Sequence, residues 1–427
     1  MRIGIIGAGA MGKRYAELWS KAGHDVAIND VPDKISGLEN TLGRCGINVY
    51  HNMKDVAKFS ELLIHAVPGD QIANVFRECR PYICPGTIVG GSCSVKMPEH
   101  VAFQYFVPRE NPTFFFHSLY GPSVKPLGQT DVIIPGNISQ EDLFNKVEPI
   151  IVDLGTTTLY LDNFLVHDKM TAETQAATHA GFMSMGLGWA RRGNYPWDQG
   201  EYTSGMDIVK MLMTMRIFSG NSHLYRTLAF ENPFALVPIK EYARSARELF
   251  NLGKERKESE LCERTVSAGK YSFDDGIEDI ALNDKIMKEY ALGVSTNLSI
   301  PNTHLSLHAM MDSWRFLSIQ PRRNLICQTP LYRLRVGIVE YLHNHSELYK
   351  NSIAAFLNSS AIEKDDSEFC DAANTWADII QKRDTKEYDH TFSMVKEFFA
   401  SRLDEAKKKS DALIDRIAEQ NRNVQTY

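Results

Sequence analysis

The stretch Arg2-Ile3-Gly4-Ile5-Ile6-Gly7-Ala8-Gly9-Ala10-Met11-Gly12 decides the first fold of this chain. Its first half reads as a short buried strand, and glycines follow at once in the spacing GxGxxG. Tyr15, Leu18 and Trp19 then recur at helical spacing, and Gly23 closes the helix. A second strand, Asp25-Val26-Ala27-Ile28-Asn29, ends at Asp30. Strand, glycine turn, helix, strand and acid in that order form a dinucleotide-binding fingerprint in its proper context. Gly7 permits the tight turn, Gly9 leaves room for a pyrophosphate, and Gly12 lets helix and strand lie close. The backbone of Gly7, Ala8, Gly9, Ala10, Met11 and Gly12 is thus expected to cradle the phosphates on a helix N-terminus. Asp30 stands 18 residues after Gly12, where a carboxylate meets the adenosine ribose and favours NAD. Lys13, Arg14 and Lys34 are the cations within reach of a 2′-phosphate, should the coenzyme be NADP.

Outward from this turn, further apolar runs read as strands: 62–67 ending at Pro68, 87–91 ending in Ser92-Cys93-Ser94-Val95-Lys96, and 113–116 ending in His117. Shorter ones follow at 132–134 and 157–160. With helical patterns between them they predict a mostly parallel sheet covered on both faces. Ligands of such sheets lie beyond the carboxyl ends of the strands, where Ser92, Ser94, Lys96 and His117 stand. Past residue 162 the pattern turns helical, over 168–192, 206–230, 234–252, 303–319, 330–345 and 391–421. The expectation is an α/β Rossmann-like domain over 1–162, followed by a mainly α-helical substrate-binding and dimerisation domain over 163–427.

Composition narrows the class. The 427 residues are 43% hydrophobic and 23% charged, which fits a folded soluble protein. No apolar run approaches the ~20 residues of a membrane span, and the first residues do not form a secretory signal. A net charge of -6 gives no bulk attraction for nucleic acid. The seven cysteines have neither framework nor zinc spacing, as expected of reduced thiols in the cytoplasm.

The segment His117-Ser118-Leu119-Tyr120-Gly121-Pro122, coming after Ser94-Val95-Lys96, resembles the prephenate dehydrogenases. Two further blocks agree. One is Val166-His167-Asp168 with Thr174-Gln175-Ala176-Ala177-Thr178-His179, in which the histidines stand twelve apart. The other is Met215-Arg216-Ile217-Phe218 with Leu224-Tyr225 and Glu231-Asn232-Pro233. Thr87–Gly91, Pro301-Asn302-Thr303-His304-Leu305 and Thr329-Pro330-Leu331-Tyr332-Arg333 resemble the fungal, NADP-linked branch. The resemblance covers about residues 3 to 400 and implies oxidative decarboxylation of prephenate to 4-hydroxyphenylpyruvate, on the route to tyrosine. It implies NADP, whereas Asp30 without a neighbouring arginine points to NAD, so both coenzymes stay open. The chain starts at its first strand and ends in helices, so neither a fused mutase domain nor a small amino-acid-sensing domain is expected.

That reaction sets the roles. A neutral imidazole suits the proton of the reacting alcohol near neutral pH, and His117, at a strand end, is the candidate base. Ser94 shares the hydroxyl or touches the nicotinamide. A dianionic substrate calls for cations, and Arg216, inside an apolar helical stretch, is costly to bury unless it meets a carboxylate. Arg226 and Lys96 are further candidates for substrate binding. His167 and His179 are expected to face the substrate where the helical domain closes over it. Each assignment has a plain alternative: a histidine capping its turn, an arginine in an internal ion pair, a lysine on the surface, a satisfied core histidine. No metal is called for. The expected partners are the small-molecule substrate and a second copy of the chain in a homodimer, without nucleic acid or membrane. Rival readings are arogenate dehydrogenase, a β-hydroxyacid or ketol-reductase type of dehydrogenase with a lysine acid/base, and an NADP-binding redox-sensing regulator that turns nothing over.

Overall fold

In the computed structural model, strand β1 (Arg2–Ile6) lies between β2 (Asp25–Asn29) and a strand at Leu62–His65, parallel to both. Ile3 stands opposite Val26 on one side and Leu62 on the other. The further strands are β3 (Asn48–Val49), β4 (the one at Leu62–His65), β5 (Ile88–Gly91), β6 (Thr113–Ser118), β7 (Thr130–Pro135) and β8 (Thr157–Tyr160). Together they make an eight-stranded sheet of order β3-β2-β1-β4-β5-β6-β7-β8. Pairing is parallel throughout except between β6 and β7, which run antiparallel with His117 opposite Val132. The two-residue β3 is too short for any apolar period to announce it, so sequence pattern passes over it.

The order of the strands switches direction between β1 and β4, and in sheets of this kind ligands sit beyond the carboxyl ends of the strands at such a point. Helix α1 (Ala10–Lys21) covers one face by burying Tyr15, Ala16 and Trp19. Trp19 packs with Tyr15 and Phe116 and donates its indole N–H to Ile150 O at 2.7 Å. All six residues of β6 are buried, Phe114, Phe115 and Phe116 among them. Each such phenylalanine contributes roughly 1.5–3 kcal/mol by leaving water, so the strand that ends in His117 is firmly held.

The structure describes residues 1–195, 205–274, 282, 302–324, 326, 330–358 and 360–425, and the chain forms two compact units. The first is Met1–Lys169 with Glu231–Pro233 and Ala418–Tyr427; the second is Met170–Phe230 with Phe234–Ile417. The division falls after Lys169 rather than after 162, so His167 and Asp168 belong with the sheet. Residues Glu231–Pro233 join that unit because the Asn232 amide donates to Asp168 O at 2.7 Å.

The described part of the second unit is helical. Its helix Ala177–Arg192 is buried along every face from Ala177 to Trp189 and packs against helices at Ser360–Lys382, Gly205–Ser219 and Thr385–Phe398. A helix at Leu236–Lys254 packs against Leu305–Phe316 and Ser360–Lys382. Three helices go beyond those the sequence pattern predicts: Glu258–Phe273, Ser346–Asn358 and Ser360–Lys382. The first buries Thr265, Ala268, Gly269 and Ser272 beside Leu261 and Phe273, so small and polar residues line its inner face and no apolar stripe shows. The pattern over 391–421 is two helices, interrupted by a tight turn at Ala400–Arg402. Among the described residues no helix is long and apolar enough to cross a membrane. Cys45, Cys79, Cys84, Cys93, Cys262 and Cys370 are all free, while Cys327, Pro301 and Thr329 lie outside the described residues.

Candidate active site

Gly7 leaves β1 with φ +106°, a conformation that side chains disfavour, and a Cβ there would stand 2.4 Å from Ala66 O. Gly12 is equally constrained, since its Cβ would fall 1.9 Å from Gly7 O. Gly9, the residue before α1, faces open space, and no side chain caps the helix. The first turn of α1 therefore presents backbone N–H groups, with no acidic residue within the turn itself, beside a loop whose close approaches require glycine at positions 7 and 12. These residues fit the pyrophosphate of a dinucleotide.

Asp30 sits beside this loop in a role the sequence did not show. Its Oδ2 accepts from Ala8 N at 2.8 Å, and its Oδ1 from Val31 N at 2.7 Å and Lys34 Nζ at 3.1 Å. Its side chain is only 10% exposed, so the carboxylate braces the glycine loop and is neutralised by Lys34. An acid so engaged selects against a 2′-phosphate less than a free one would.

His117, next to last in β6, is buried, and its Nδ1 lies 2.9 Å from His167 Nε2. His167 Nδ1 in turn lies 2.9 Å from Asp168 Oδ1. Asp168 also accepts from Lys96 N on Oδ1 and Met97 N on Oδ2, each at 2.9 Å. These bonds fix the tautomers. Asp168 can only accept here, so His167 donates from Nδ1 and leaves its Nε2 lone pair to accept. His117 must then donate from Nδ1, which puts its own lone pair on Nε2. Burial holds both imidazoles below their ordinary range; the neighbouring His167 and Lys96 lower His117 further, while Asp168 opposes the shift at His167. The site thus holds a neutral imidazole whose Nε2 is ready to receive a proton.

Lys96 is corrected by the structure. It is fully buried, and its three ammonium hydrogens go to Glu99 Oε2 at 2.9 Å, Phe116 O at 2.7 Å and Cys93 O. No donor is left for a substrate. Lys96 is instead a strut that fastens the loop after β5 to the end of β6, one residue before His117. Glu99 is pushed up by burial and pulled back by Lys96. Ser94 stands half-buried on the same loop, two residues before Lys96. Ser92 spends its hydroxyl on His65 O at 3.0 Å.

In the helical unit Arg216 donates to Ser410 Oγ at 3.0 Å and forms an ion pair with Asp411. Arg226 pairs with Asp389. Both cations assigned to substrate carboxylates are thus answered by acids of their own unit, the plainer of the two readings. His179 Nε2 lies 2.6 Å from an Nη of Arg335, and its ring meets Tyr225 edge-on at 5.0 Å. Burial first, then Arg335, holds His179 well below the usual imidazole range. Sequence reasoning missed Arg335, although the argument applied to Arg216 was available: it stands between Leu334 and Val336 in an apolar helical pattern. The Asn302–His304 block is structural, with His304 Nδ1 3.0 Å from Lys210 Nζ, Asn302 donating to Asp207 and Thr303 donating to Asp366.

The chain matches two family models. Residues 176–419 match a 6-phosphogluconate dehydrogenase C-terminal domain family, and residues 2–89 match the NADP oxidoreductase coenzyme F420-dependent family. It is 35% identical over 423 residues to a probable prephenate dehydrogenase (NADP+) of Schizosaccharomyces pombe, covering 98% of each chain. It is 36% identical over 438 residues to the prephenate dehydrogenase (NADP+) of Saccharomyces cerevisiae, covering 99% of this chain and 97% of the other. A crystal structure of prephenate dehydrogenase from A. aeolicus, in complex with hydroxyphenyl propionate and NAD+, shares the fold with a TM-score of 0.51. It is 18% identical and covers 62% of this chain and 94% of the other. With identity above 30% across nearly the whole of both yeast proteins and the matching helical domain, this chain belongs to the prephenate dehydrogenase (NADP+) family.

Proposed function

We propose that this protein oxidises prephenate with NADP+, releasing CO2 and 4-hydroxyphenylpyruvate, and that His117 is its proton acceptor. The observation that carries the reading is the chain Asp168–His167–His117, which sets the His117 lone pair on Nε2. Gly7 to Gly12 and the first turn of α1 hold the coenzyme, whose nicotinamide supplies the hydride acceptor when bound. His117 Nε2 takes the proton of the substrate alcohol as that carbon loses its hydride and becomes a carbonyl. The positive charge arising on His117 is shared with His167, and Asp168 stabilises it. When the ring carboxylate leaves as CO2, its bonding electrons make the ring aromatic and the carbonyl oxygen becomes a phenolate. His117 returns the proton to that same oxygen. Base and acid are one residue, which suits an imidazole held neutral and given a route for spreading its charge. Ser94 orients the hydroxyl or the nicotinamide amide.

NADP is supported by the relatives' coenzyme and by Asp30, whose charge is spent on the loop and on Lys34. We read the enzyme as a homodimer of the cytoplasm. Leu224 and Met394 are exposed apolar residues on two helices that pack together, and the six described cysteines are free. The deciding experiment supplies prephenate or arogenate with NADP+ or NAD+ and follows coenzyme reduction. Fast reduction of NADP+ by prephenate is expected; turnover of arogenate alone would replace the reading. Light scattering on the eluting protein gives its mass, and a monomer would remove the dimer.

A further inference from the structure

Side chains alternate along a strand, so Ser118, the residue after His117 in β6, points to the other face of the sheet, the one that α1 covers. There its Oγ lies 2.8 Å from the hydroxyl of Tyr15. Ser118 also donates to Oδ1 of Asp131, its partner across the antiparallel pair with β7. Thr156 donates its hydroxyl to Asp131 Oδ2 at 2.5 Å. All four residues are buried, and no cation pairs with Asp131 among the described residues. Burial pushes the Asp131 carboxyl up to about 6, and the hydroxyls of Ser118 and Thr156 pull it back, so it is ionised at neutral pH. An ionised carboxylate only accepts. Ser118 and Thr156 therefore both donate to it, and the Ser118 oxygen is left to accept from Tyr15. The chain Tyr15–Ser118–Asp131–Thr156 thus has one direction throughout. Apolar side chains of similar volume would join α1 to the sheet without burying a charge that lacks a counter-ion. They would not supply direction. Tyr15 and Phe116 already pack there with ring centroids 5.3 Å apart, and such a contact leaves the helix free to slide where a hydrogen bond does not.

From this we infer that Tyr15, Ser118 and Asp131 are positioning residues for the reaction: they fix the spacing between the coenzyme cradle and the base. The inference rests on the functional reading above. Tyr15 stands three residues after Gly12, one helical turn beyond the N–H groups that meet the pyrophosphate, and Ser118 adjoins His117 in the chain. The nicotinamide is therefore carried by α1 and the proton acceptor by β6. In the sheet β1, the strand that leads into α1, is separated from β6 by β4 and β5. Strand pairing relays the spacing through those two strands, whereas the Tyr15–Ser118 bond ties α1 to β6 directly across 103 residues of chain. The chemistry makes that spacing matter. Hydride and proton leave from a carbon and an oxygen bonded to each other, so hydride acceptor and base must be in place together. A misplacement of about 1 Å can cost ~10²-fold in rate. Asp131 acts one bond further back: by accepting from Ser118 it orients the hydroxyl so that its oxygen faces Tyr15.

The test compares wild type with Tyr15→Phe, Ser118→Ala and the double variant. Ser60→Ala is the control, because it too removes a buried hydroxyl of this unit, bonded to Val56 O at 2.6 Å, without touching α1 or β6. Urea unfolding measures stability, fluorescence titration measures NADP+ affinity, and steady-state assays at saturating prephenate measure kcat and its deuterium isotope effect at the oxidised carbon. Tyr15→Phe should lower kcat about 5–50-fold with NADP+ affinity within about twofold of wild type. The isotope effect should persist or grow, since it is the chemical step that slows. Ser118→Ala should behave alike, and it serves if the phenylalanine variant does not fold. The double variant should lose no more than the worse single one, because the two hydroxyls act through one bond. Ser60→Ala should lose stability and keep kcat. The inference is overturned if folded Tyr15→Phe and Ser118→Ala keep kcat within about twofold of wild type, if their losses multiply in the double variant, if the loss falls on NADP+ affinity instead, or if Ser60→Ala slows the enzyme equally. Where wild type oxidises arogenate alone, the same comparison is made with arogenate. If it oxidises neither, the functional reading falls and the inference with it; a working wild type with undiminished variants removes the inference alone.

Discussion

Replacing Asp168 by asparagine separates two things this carboxylate does. Its Oδ1 accepts from both Lys96 N and His167 Nδ1, and its Oδ2 accepts from Met97 N. The asparagine side chain keeps two of these three bonds by leaving its oxygen at the Oδ1 place and turning its NH2 toward Met97 N–H. The His167 tautomer then survives, and so does the lone pair on His117 Nε2. Two terms are lost. One is the Met97 bond, whose unsatisfied N–H costs about 1–3 kcal/mol of stability. The other is the negative charge facing the imidazoles as they take up a proton. Full unit charges ~4 Å apart interact by about 4 kcal/mol at an effective dielectric of 20. With the proton partly transferred in the transition state, about half of that applies, which corresponds to a ~30-fold loss in kcat. Asp168→Ala removes the acceptor as well, frees His167 to take either tautomer, and should lose ~10²–10⁴-fold. Steady-state NADP+ reduction at saturating prephenate measures both, with a deuterium isotope effect at the oxidised carbon to establish that chemistry limits the rate. Wild-type kcat in folded Asp168→Ala would refute the relay; equal losses in the two variants would refute the tautomer argument.

Other consequences follow from the same geometry. Lys96→Met leaves Glu99 buried without its partner and should cost about 3–5 kcal/mol in denaturant unfolding, whereas a raised prephenate KM at unchanged stability would restore Lys96 to the substrate. Gly12→Ala drives a Cβ into Gly7 O and should weaken NADP+ binding by about 5–150-fold, read by fluorescence titration; unaltered affinity would show that the turn is not the coenzyme site. Acidification should destabilise the fold. Burial holds His65 and His308 down at about 3 and also lowers His117, His167, His179 and His304, so the unfolded chain binds more protons than the folded one as pH falls below 6.5. Glu99, Asp131 and Asp366, raised by burial, act in the opposite sense, but these six histidines outnumber them. The urea midpoint should therefore fall from pH 7 to pH 5, and a flat or rising midpoint would contradict the buried-histidine account. Activity should keep its acid limb below the ordinary imidazole range, because His117 must be neutral to accept the proton and burial keeps it so.

The relay also accounts for sequence blocks that pattern alone only marked. Val166-His167-Asp168 supplies the second imidazole and the carboxylate, and Glu231-Asn232-Pro233 supplies the amide that holds Asp168 O. The sequence puts His167 toward the substrate; in the structure its two ring nitrogens are engaged by His117 and by Asp168.

What the sequence determined by itself was local. GxGxxG after an apolar strand fixes a turn through the sterics of a few adjacent residues, and the period of apolar positions separates strands from helices. His117 could be placed because a strand's end and its polar successor are neighbours along the chain. The tertiary structure alone decided which charges meet. Arg216 finds Asp411 across 195 residues, Arg226 finds Asp389 across 163, and Arg335 finds His179 across 156. Lys96 turns inward because Glu99 and Phe116 O wait for it there. A buried charge answers to whatever the folded chain brings within a few ångströms, and position along the chain does not encode that proximity.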